Sequence, residues 1–582
     1  MKIRFLMLAA AFLAAACGKT GDDPSQEVKV LAVPTDVRLH AATETTLTFQ
    51  WANVEGAENY GWKLTRDGNG VKSGTSAKRN VTVDGLTPGT AYAFMVRAAN
   101  AAGASGWSAV VEAVTEGSAP GPVDPSAAAV CVDAPVVLSF DSAPVLGSTG
   151  LIRVFTAAGE EVDRIDLADL SRMSALPDGT LVPAGADADK GQIAINNDYR
   201  FHTFLDALHS NQYRVVHYTP VRVKGKQLEI KLHNEALDFG RTYYVTMDES
   251  VAGKAVAEGE YSFTTKPKPS GAVFTVRADG SGDFCTVQGA LSFISTLQKD
   301  LATTVDIGEG TFPEMLFLRN RNNVTLRGVS REKTRIAYPN NDSYETGSGA
   351  SVSSRPSPGA SIGKSGGRSV FLVEGCDNLV LENLTIENTY SIPSHKGQAE
   401  TIYFNSNYKL TIENCALLSW QDTFLTKGVV WVHNSLIAGH VDFIWGYPKA
   451  CLFEDCEIRA RAGGYLIQAR VPSASDKGFV FLRCRLTAEE GVKDGSMYLA
   501  RSAGQSESFD NVTYVHCEMS PVIAPVGWFT NPAPNPATPT ATSGWKEYGT
   551  TGVSTAGRNK LGKLLTDAEA EAYASRSAVL GW

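Results

Sequence analysis

The feature that most constrains the fold of this 582-residue chain is a strand motif that recurs through its second half. Each copy places a polar residue before one small or apolar residue, as in Glu-Asn-Cys-Ala-Leu and Glu-Asp-Cys-Glu-Ile. The residue after the polar one is, in successive copies, Leu384, Cys415, Ser435, Cys456, Cys484 and Cys517. These copies are 31, 20, 21, 28 and 33 residues apart. Such a short, uneven period predicts a parallel β-helix, in which each coil stacks on the previous one and the loops vary in length.

The positions of the cysteines favour a packed ladder, in which one side chain from each coil stacks on the next inside the solenoid, over a framework of disulfides. Five of the nine cysteines fall in similar contexts, mostly just before an apolar residue: Cys376, Cys415, Cys456, Cys484 and Cys517. At inward positions of stacked coils, cysteine acts as a small hydrophobic residue. We therefore expect these thiols to be buried and mostly unpaired. The absence of any C-x-x-C pair argues against a zinc site, and we expect no metal and no cofactor.

Two smaller β-sandwich domains are predicted ahead of the solenoid. Residues 33–116 contain short alternating stretches separated by turn residues. They resemble a fibronectin type III domain, with Trp51 in the core and Tyr92 at the corner before a core strand. Residues 128–266 resemble a bacterial Ig-like sandwich. Neither segment shows a convergent set of catalytic residue types, so both are interpreted as spacers or, alternatively, as carbohydrate-binding modules.

The segments around these domains are interpreted as linkers and as a targeting sequence. Linkers rich in Pro, Gly and Ser are predicted at 117–127 and 267–271. Residues 1–17 have a positive start, a short apolar stretch and then small residues before Cys17. This pattern resembles a bacterial lipoprotein signal peptide in which Cys17 is lipidated, and 18–32 would be a tether. The alternative is a plain secretory signal. We expect an exported outer-membrane lipoprotein that faces the cell surface or the periplasm.

Charge and hydrophobicity exclude two classes of partner. The formal net charge of −9 argues against a nucleic-acid-binding protein, because phosphate recognition needs clustered Lys and Arg. After the first twenty residues, no apolar stretch is long enough to span a bilayer. Membrane contact is therefore expected only through the N-terminal lipid, and the protein is expected to be a monomer.

The register of the motif predicts that two carboxylates are neighbours. Asp422 lies seven residues after Cys415, and Asp442 lies seven residues after Ser435. In stacked coils the two aspartates would occupy equivalent places about 5 Å apart. Like charges at that distance do not both ionise easily, so one pKa should rise while the other stays low. The pair would thus supply an acid and a nucleophile or base from one residue type.

Three further side chains complete the candidate site. Arg501 follows the next strands and is the candidate cation to keep Asp442 charged. Gln398 and Gln421 carry neutral amide donors suited to a developing oxyanion. A G-x-S-x-G nucleophile elbow is absent.

The motifs around these residues resemble pectin methylesterases, carbohydrate esterase family eight, from about residue 272 to 582. They include Trp-Gln-Asp-Thr-Phe at 420–424, Gly-His-Val-Asp-Phe-Ile-Trp-Gly at 439–446, Gly-Gln-Ala at 397–399 and Leu-Ala-Arg at 499–501. The resemblance implies an all-β chain with a right-handed parallel β-helix as its catalytic domain. It also implies hydrolysis of methyl-esterified pectin to pectate and methanol.

The resemblance assigns roles to the candidate residues. Asp442 would attack the ester carbonyl, and Asp422 would act as general acid and base. Gln398 and Gln421 would line the oxyanion hole, while Arg501 would hold Asp442 ionised. Substrate contacts are expected from Gln398, Arg501, Phe443, Trp445 and Trp528. The chain departs from the family after Arg501, where Ser-Ala replaces the usual Pro-Trp, and this puts the sugar-stacking surface in doubt.

Three alternatives remain at this point. Polygalacturonases share the β-helix and use aspartates, but their Asn-Thr-Asp, Gly-His-Gly and Arg-Ile-Lys motifs are absent. Pectate lyases need an acidic cluster for Ca²⁺, and no such cluster is recognisable. A surface adhesin would also suit tandem sandwiches on a lipid tether.

Overall fold

The computed structural model describes residues 31–582 except 44, 67, 88–89, 116–128, 171–172, 176–180, 184–200, 205–211, 216–219, 343–366 and 391–396. The expected signal peptide with its lipidated Cys17, most of the tether and the first linker lie outside the described residues. Within the part that is described, no helix is long and apolar enough to cross a bilayer.

The second half of the chain is a parallel β-helix. Equivalent strands of successive coils pair in parallel and form three sheets, A, B and C. Sheet A contains the strands Val273–Val276, Thr303–Ile307, Val324–Arg327, Leu379–Glu382, Lys409–Glu413, Gly478–Leu482, Val512–Val515, Trp545–Tyr548 and Gly562–Leu564. Sheet B contains Gly310–Phe312, Thr334–Tyr338, Thr385–Asn388, Ala416–Leu418, Arg485–Ala488 and Glu518–Met519. Sheet C contains Leu316–Arg319, Phe371–Glu374, Ile402–Asn405, Met497–Arg501 and Trp528–Phe529.

Three long strands bend around the corners between these sheets and contribute to more than one of them: Phe424–His433, Leu436–Glu454 and Glu457–Ala469. The helix Val287–Ser295 lies near the start of the solenoid. Short helices, Asp567–Ala570 and Arg576–Leu580 with a 3₁₀ turn at Glu571–Tyr573, end the chain.

The polar residue of the repeated motif is explained by its backbone conformation. Residues immediately before the ladder position all have positive φ: Asn383, Asn414, Asn434, Asp455, Arg483 and His516. This left-handed turn leads from sheet A to sheet B, and short polar side chains such as Asn and Asp tolerate it best. The register is confirmed, because Ala416 pairs with Leu436 and Leu436 pairs with Glu457 on the next coil.

Five of the six ladder side chains, all except Leu384, are small and contact the carbonyl oxygen two residues earlier, on the inside of the turn. Cys415 and Cys456 place their thiols 3.3 Å from the carbonyl oxygens of Glu413 and Glu454, two residues earlier in each case. Ser435 Oγ donates to the carbonyl of His433 at 2.7 Å in the same way. All eight cysteines within the described ranges are buried free thiols, which confirms the expectation for the ladder.

Thiol titration of the unfolded, unreduced protein should therefore find the ladder thiols free. Burial raises the pKa of Cys376 and of Cys415 to about 12, so in the folded state these thiols should resist alkylation. The measurement is mass spectrometry after alkylation with and without denaturant. Blocked ladder thiols in the denatured, unreduced sample would refute the ladder interpretation.

The N-terminal domain is a sandwich of two antiparallel sheets. One sheet contains Arg38–Ala42, Leu47–Gln50 and Asn80–Val83. The other contains Asn59–Arg66, Asn69–Ser76, Ala91–Asn100, Gly103–Ala104 and Val111–Val114. Phe49 and Phe94 stack at 3.9 Å between ring centroids, and Trp51 packs beside them at 4% exposure. The prediction that Trp51 is the core tryptophan is confirmed.

The second domain is also a sandwich, and its core contains Ile152, Val154, Leu228 and Val245. One sheet is formed by Leu151–Thr156, Glu161–Asp166, Thr242–Met247 and Ser262–Thr264. The other is formed by Val136–Ser139, Val221–Lys224 and Gln227–Ile230. Two hairpins, Met173–Ala175 with Leu181–Pro183 and Phe201–Phe204 with Gln212–Val215, and two helices, Leu167–Leu170 and Glu249–Ala252, complete it.

The second sandwich packs against the first coil of the β-helix through a polar contact. The Asp133 carboxylate accepts hydrogen bonds from the backbone N–H groups of Cys285 and Thr286, at 3.0 and 2.7 Å, and from the Thr286 hydroxyl at 2.6 Å. These donors precede the helix Val287–Ser295, where a negative charge is favourable. Lys266 Nζ donates to the carbonyl of Gly282 at 2.6 Å.

This contact bears on the interpretation of the second sandwich as a spacer, which stays a prediction. That interpretation implies that removal of residues 33–266 leaves activity nearly intact. Phe239 of the sandwich packs edge-on against Phe293 of the solenoid, with ring centroids 5.5 Å apart. Removing the sandwich would expose this apolar surface and the donors that Asp133 satisfies, so we expect that deletion to destabilise the solenoid.

Asp133→Ala tests the contact in the full-length chain. The substitution leaves two backbone donors and one hydroxyl without their acceptor, which should lower the free energy of unfolding by about 1–3 kcal/mol. Asp141→Ala, at an exposed carboxylate of the same domain, is the matched control and should have little effect. Denaturant unfolding measures both. Equal stability of the two variants would show that the contact contributes nothing.

Candidate active site

The two aspartates predicted from the repeat lie in register on adjacent coils, at the corner between sheets B and C. Gln421 pairs in parallel with Gln398 on the coil before it and with Val441 on the coil after it. The backbone N–H of Asp422 donates to the carbonyl of Val441 at 3.1 Å. Asp422 and Asp442, each the next residue, therefore face one another across a single coil spacing, which is about 4.8 Å.

Both aspartates have left-handed backbone conformations. The φ angle is 64° at Asp422 and 47° at Asp442. For a residue other than glycine this conformation costs on the order of 1–2 kcal/mol, and Asp tolerates it better than most residues. Both side chains are buried, at 5% and 6% exposure. Each of the two adjacent coils thus holds one carboxylate in a constrained turn at the rim of the core.

The Asp442 carboxylate is held by a cation and an amide. Arg501 Nε donates to Oδ1 at 2.8 Å and to Oδ2 at 3.0 Å, and its Nη2 also contacts Oδ2. Gln468 Nε2 donates to Oδ2 at 3.0 Å. Burial raises the pKa of Asp442, while the hydrogen bonds and charge of Arg501 oppose that rise. The carboxylate form is therefore the one that its neighbours solvate.

The Asp422 carboxylate has a more negative environment. Burial raises its pKa well above the ordinary value, and the charges of Glu400 and Asp442 raise it further. Arg368 lowers it, with Nη2 3.3 Å from Asp422 Oδ2. Burial raises the pKa of both carboxyls, so the expectation that one of the two values stays low is wrong. The rise is larger at Asp422, which has Glu400 beside it, whereas Arg501 opposes the rise at Asp442.

Two amide side chains lie along the same ladder. Gln398 and Gln421 are half-buried neighbours on adjacent coils. The Gln398 side-chain oxygen accepts a hydrogen bond from Arg368 Nη1 at 2.5 Å. The structure therefore brings together all five residues that the sequence places in the catalytic group: Gln398, Gln421, Asp422, Asp442 and Arg501.

The expected aromatic substrate contacts do not hold. Phe443 is fully buried in the solenoid core. Trp528 is also in the core, where it stacks on Trp545 with ring centroids 5.3 Å apart. Trp445 is 6% exposed, and the guanidinium groups of Arg368 and Arg470 lie 5.8 and 4.8 Å from the centroid of its ring. Phe443 and Trp528 are corrected to core residues, and Trp445 offers little free surface to a sugar.

Partly exposed aromatic rings occur instead beside Arg501. Tyr465, Tyr498 and Phe529 pack together, with centroid distances of 5.8 Å between the tyrosines and 5.1 Å between Tyr498 and Phe529. The Arg501 guanidinium lies 4.7 Å above the Tyr465 ring. These three rings come from successive coils, but they lie at different distances from the ladder positions of those coils, so the register of the motif did not group them.

Sequence reasoning also missed the side chains that support the pair. Arg368 and Glu400 form a buried ion pair behind Asp422, with Arg368 Nε 2.8 Å from Glu400 Oε1. Gln468 pairs with Trp445 in the sheet and therefore occupies the equivalent place on the next coil. Its oxygen accepts from Arg470 Nη2 at 2.6 Å. The signal in the sequence for Gln468 was a polar residue among the apolar residues at the end of the strand Glu457–Ala469.

The residues that could hold a metal ion lie elsewhere in the part of the chain that the structure describes. Over the described ranges, one group of residues could hold a metal ion: Cys131, Asp133 and Cys285, whose ligand atoms lie within 4.8 Å of one another. That group lies at the contact between the second sandwich and the solenoid. Neither aspartate of the pair belongs to it.

Two protein-family models match parts of this chain. Residues 273–581 match the family model for pectinesterases, and residues 32–114 match that for the fibronectin type III domain. Pectinesterase 31 of Arabidopsis thaliana is 34% identical over 256 residues, covering 44% of this chain and 75% of that protein. Pectinesterase A of Emericella nidulans is 25% identical over 335 residues, covering 57% and 94%. A solved pectin methylesterase from Erwinia chrysanthemi is 23% identical, covering 54% and 98%, with a TM-score of 0.43.

Proposed function

This chain belongs to the pectinesterase family and is a carboxylic ester hydrolase, and from that premise we propose that it hydrolyses the methyl esters of polygalacturonate. The observation that carries the proposal is the pair of stacked aspartates, one beside Arg501 and the other beside Glu400. Two carboxyls of one type with opposed surroundings provide a nucleophile and an acid at the same pH. The products would be pectate and methanol.

In the first half-reaction Asp442 attacks the carbonyl carbon of the methyl ester. The carbonyl oxygen becomes an oxyanion, and the amides of Gln398 and Gln421 are the neutral donors placed to stabilise it. As the tetrahedral intermediate collapses, Asp422 gives its proton to the methoxy oxygen and methanol departs. An anhydride between Asp442 and the galacturonate carboxyl remains.

In the second half-reaction Asp422, now a carboxylate, removes a proton from water. The resulting hydroxide attacks the galacturonyl carbon, and the bond to Asp442 breaks. Asp442 returns as a carboxylate beside Arg501, and Asp422 is protonated again. The cycle consumes one water for each methyl ester and needs no redox partner.

The surroundings of the pair suit an acidic sugar polymer. Arg470 and Arg501 lie beside aromatic rings near the aspartates, at 4.8 Å from the Trp445 ring and 4.7 Å from the Tyr465 ring. The Nε and Nη2 atoms of Arg501 already bind Asp442, and those of Arg470 bind Gln468, so the two groups would attract galacturonate carboxylates by their charge. Demethylated galacturonate units next to the reacting ester would find such partners here.

Three product assays on one sample test the proposed function. Purified protein with highly methylated pectin should release methanol and acidify the medium. It should produce neither new reducing ends, which a polygalacturonase would generate, nor unsaturated uronides, which a lyase would generate. An adhesin would bind pectin and release nothing. Methanol release that disappears with a chelator would contradict the metal-free mechanism.

We propose that the aromatic cluster of Tyr465, Tyr498 and Phe529 replaces the missing Pro-Trp as the sugar-stacking surface. Tyr498→Ala should then raise KM for pectin by roughly 10-fold, since an aromatic contact is worth about 1 kcal/mol or slightly more, and should leave kcat nearly unchanged. Tyr408→Ala, at a 55% exposed tyrosine elsewhere on the solenoid, is the control. A change in kcat alone would exclude a binding role.

We also propose that the chain is exported, anchored in the outer membrane through a lipid on Cys17, and active as a monomer. The support is the pattern of residues 1–17, in which small residues precede the cysteine. Cys17→Ser should move the protein from the membrane fraction to the soluble fraction.

A further inference from the structure

A buried ion pair lies next to Asp422, and the proposed mechanism gives it no role. Arg368 and Glu400 are buried, with side chains 9% and 0% exposed. Arg368 Nε lies 2.8 and 2.9 Å from the two oxygens of Glu400. Removing two charges from water is costly, and a buried ion pair rarely improves stability over apolar packing. The location of this pair suggests a task other than stability.

The remaining donors of Arg368 reach two members of the catalytic group at once. Nη1 donates to the Gln398 side-chain oxygen at 2.5 Å, and Nη2 lies 3.3 Å from Asp422 Oδ2. Gln398 and Asp422 belong to adjacent coils, so one guanidinium group spans both.

The contact to Gln398 fixes the direction of its amide group. An amide presents an oxygen on one side and an NH₂ group on the other, and the two orientations have nearly the same shape. A guanidinium group has donors only, so the oxygen of Gln398 must face Arg368. The NH₂ group is then available to an oxyanion. Without Arg368, nothing in this contact would prevent the amide from turning its oxygen to the substrate.

The contact to Asp422 creates a conflict that Glu400 resolves. A lone guanidinium group at 3.3 Å would favour the carboxylate form of Asp422, yet a general acid must carry a proton. Glu400 pairs with the same guanidinium group and supplies the opposite charge. Together the two residues place a rigid donor fork next to Asp422 while adding no net charge.

We propose that Arg368 and Glu400 are a positioning pair, in which Arg368 orients Gln398 as an oxyanion donor and Glu400 cancels the guanidinium charge so that Asp422 keeps its proton. This inference rests on the proposed function. The charged groups that act on Asp422 are Glu400, Arg368, Asp442 and Arg501, and Asp342 acts on the ion pair itself. Of these, Glu400 raises the pKa of Asp422 and Arg368 lowers it.

Glu400→Gln provides the first test, because it keeps the shape and the acceptor oxygen but removes the charge. Asp422 then loses a neighbouring negative charge, its pKa falls, and it loses its proton at lower pH. Activity requires that proton, so the alkaline limb of the kcat profile should move to lower pH by roughly one unit or more. KM and the acid limb should change little. Glu387→Gln, which removes the charge from a less buried ion pair with Arg335 on the same solenoid, should leave both limbs in place.

The double variant Arg368→Met/Glu400→Gln provides the second test without leaving a buried charge unpaired. With both charges gone, the alkaline limb should return towards that of the wild type. The freed Gln398 should still cost on the order of 10²-fold in kcat, as for loss of one oxyanion donor. Thermal unfolding of each variant confirms that it is folded.

The outcomes separate this inference from the proposed function. If wild-type protein releases no methanol, the proposed function fails. If it releases methanol and Glu400→Gln leaves the alkaline limb unchanged, the ion pair is structural only. If Glu400→Gln does not fold, the double variant decides the matter, and a kcat close to that of the wild type would overturn the positioning role.

Discussion

Asp442→Asn should reduce kcat on methyl-esterified pectin by on the order of 10⁴-fold or more, the effect expected for loss of a covalent nucleophile. An amide does not attack an ester, yet it keeps the size of the side chain and an oxygen that accepts from Arg501. Asparagine also tolerates the left-handed backbone, at φ 47°, that this position requires. Affinity for pectin should survive.

A matched substitution separates this effect from damage to the fold. Asp455→Asn changes an exposed aspartate with φ 54° on the same solenoid, where it pairs with Arg483. Its methanol release should equal that of the wild type. Near-normal turnover by Asp442→Asn would exclude Asp442 as the nucleophile, whatever the control shows.

Asp422→Asn should lower kcat by roughly 10²–10⁴-fold, the usual contribution of a positioned acid and base. Methoxide is a poor leaving group without a proton, and water is a poor nucleophile without a base. The loss should be smaller than for Asp442→Asn because the nucleophile and both amides remain. The acid step should matter only for leaving groups that need a proton.

An activated ester distinguishes the two duties of Asp422. An aryl ester of a galacturonate oligomer has a leaving group that departs unprotonated, so its first half-reaction should be nearly normal in Asp422→Asn. The second half-reaction should stay slow because the base is missing. If aryl and methyl esters are impaired equally throughout, Asp422 is not the acid.

The fold could be predicted from sequence because the same backbone turn between sheets A and B recurs along the solenoid. The corners between sheets A and B that carry the motif have a residue with positive φ, and in most of them a small donor follows, as Cys415 follows Asn414 and Ser435 follows Asn434. Stacked coils also fix which residues become neighbours, so Asp422 and Asp442 could be placed together from their distance to the ladder. The lengths of the loops between coils leave no such pattern.

The supporting side chains and the substrate surface were harder to predict. Arg368 reaches Asp422 from 54 residues earlier in the chain, and no repeat relates the two. Phe443 and Trp528 were misjudged because a motif identifies residues without saying which face of the coil they occupy. Adjacent residues point to opposite faces of a strand, and Phe443, which follows Asp442, packs into the core. The contact of the second sandwich through Asp133 depends on a capped helix start in another domain, which local patterns cannot reveal.

The most direct test of the two-aspartate mechanism is the pre-steady-state release of the aryl group from an activated galacturonate ester by Asp422→Asn. The mechanism predicts a burst of one equivalent per enzyme, a slow steady rate afterwards, and a galacturonyl group on the peptide that contains Asp442. The double variant Asp422→Asn/Asp442→Asn should show neither the burst nor the modified peptide. Linear release without a burst, together with an unmodified Asp442, would contradict the mechanism.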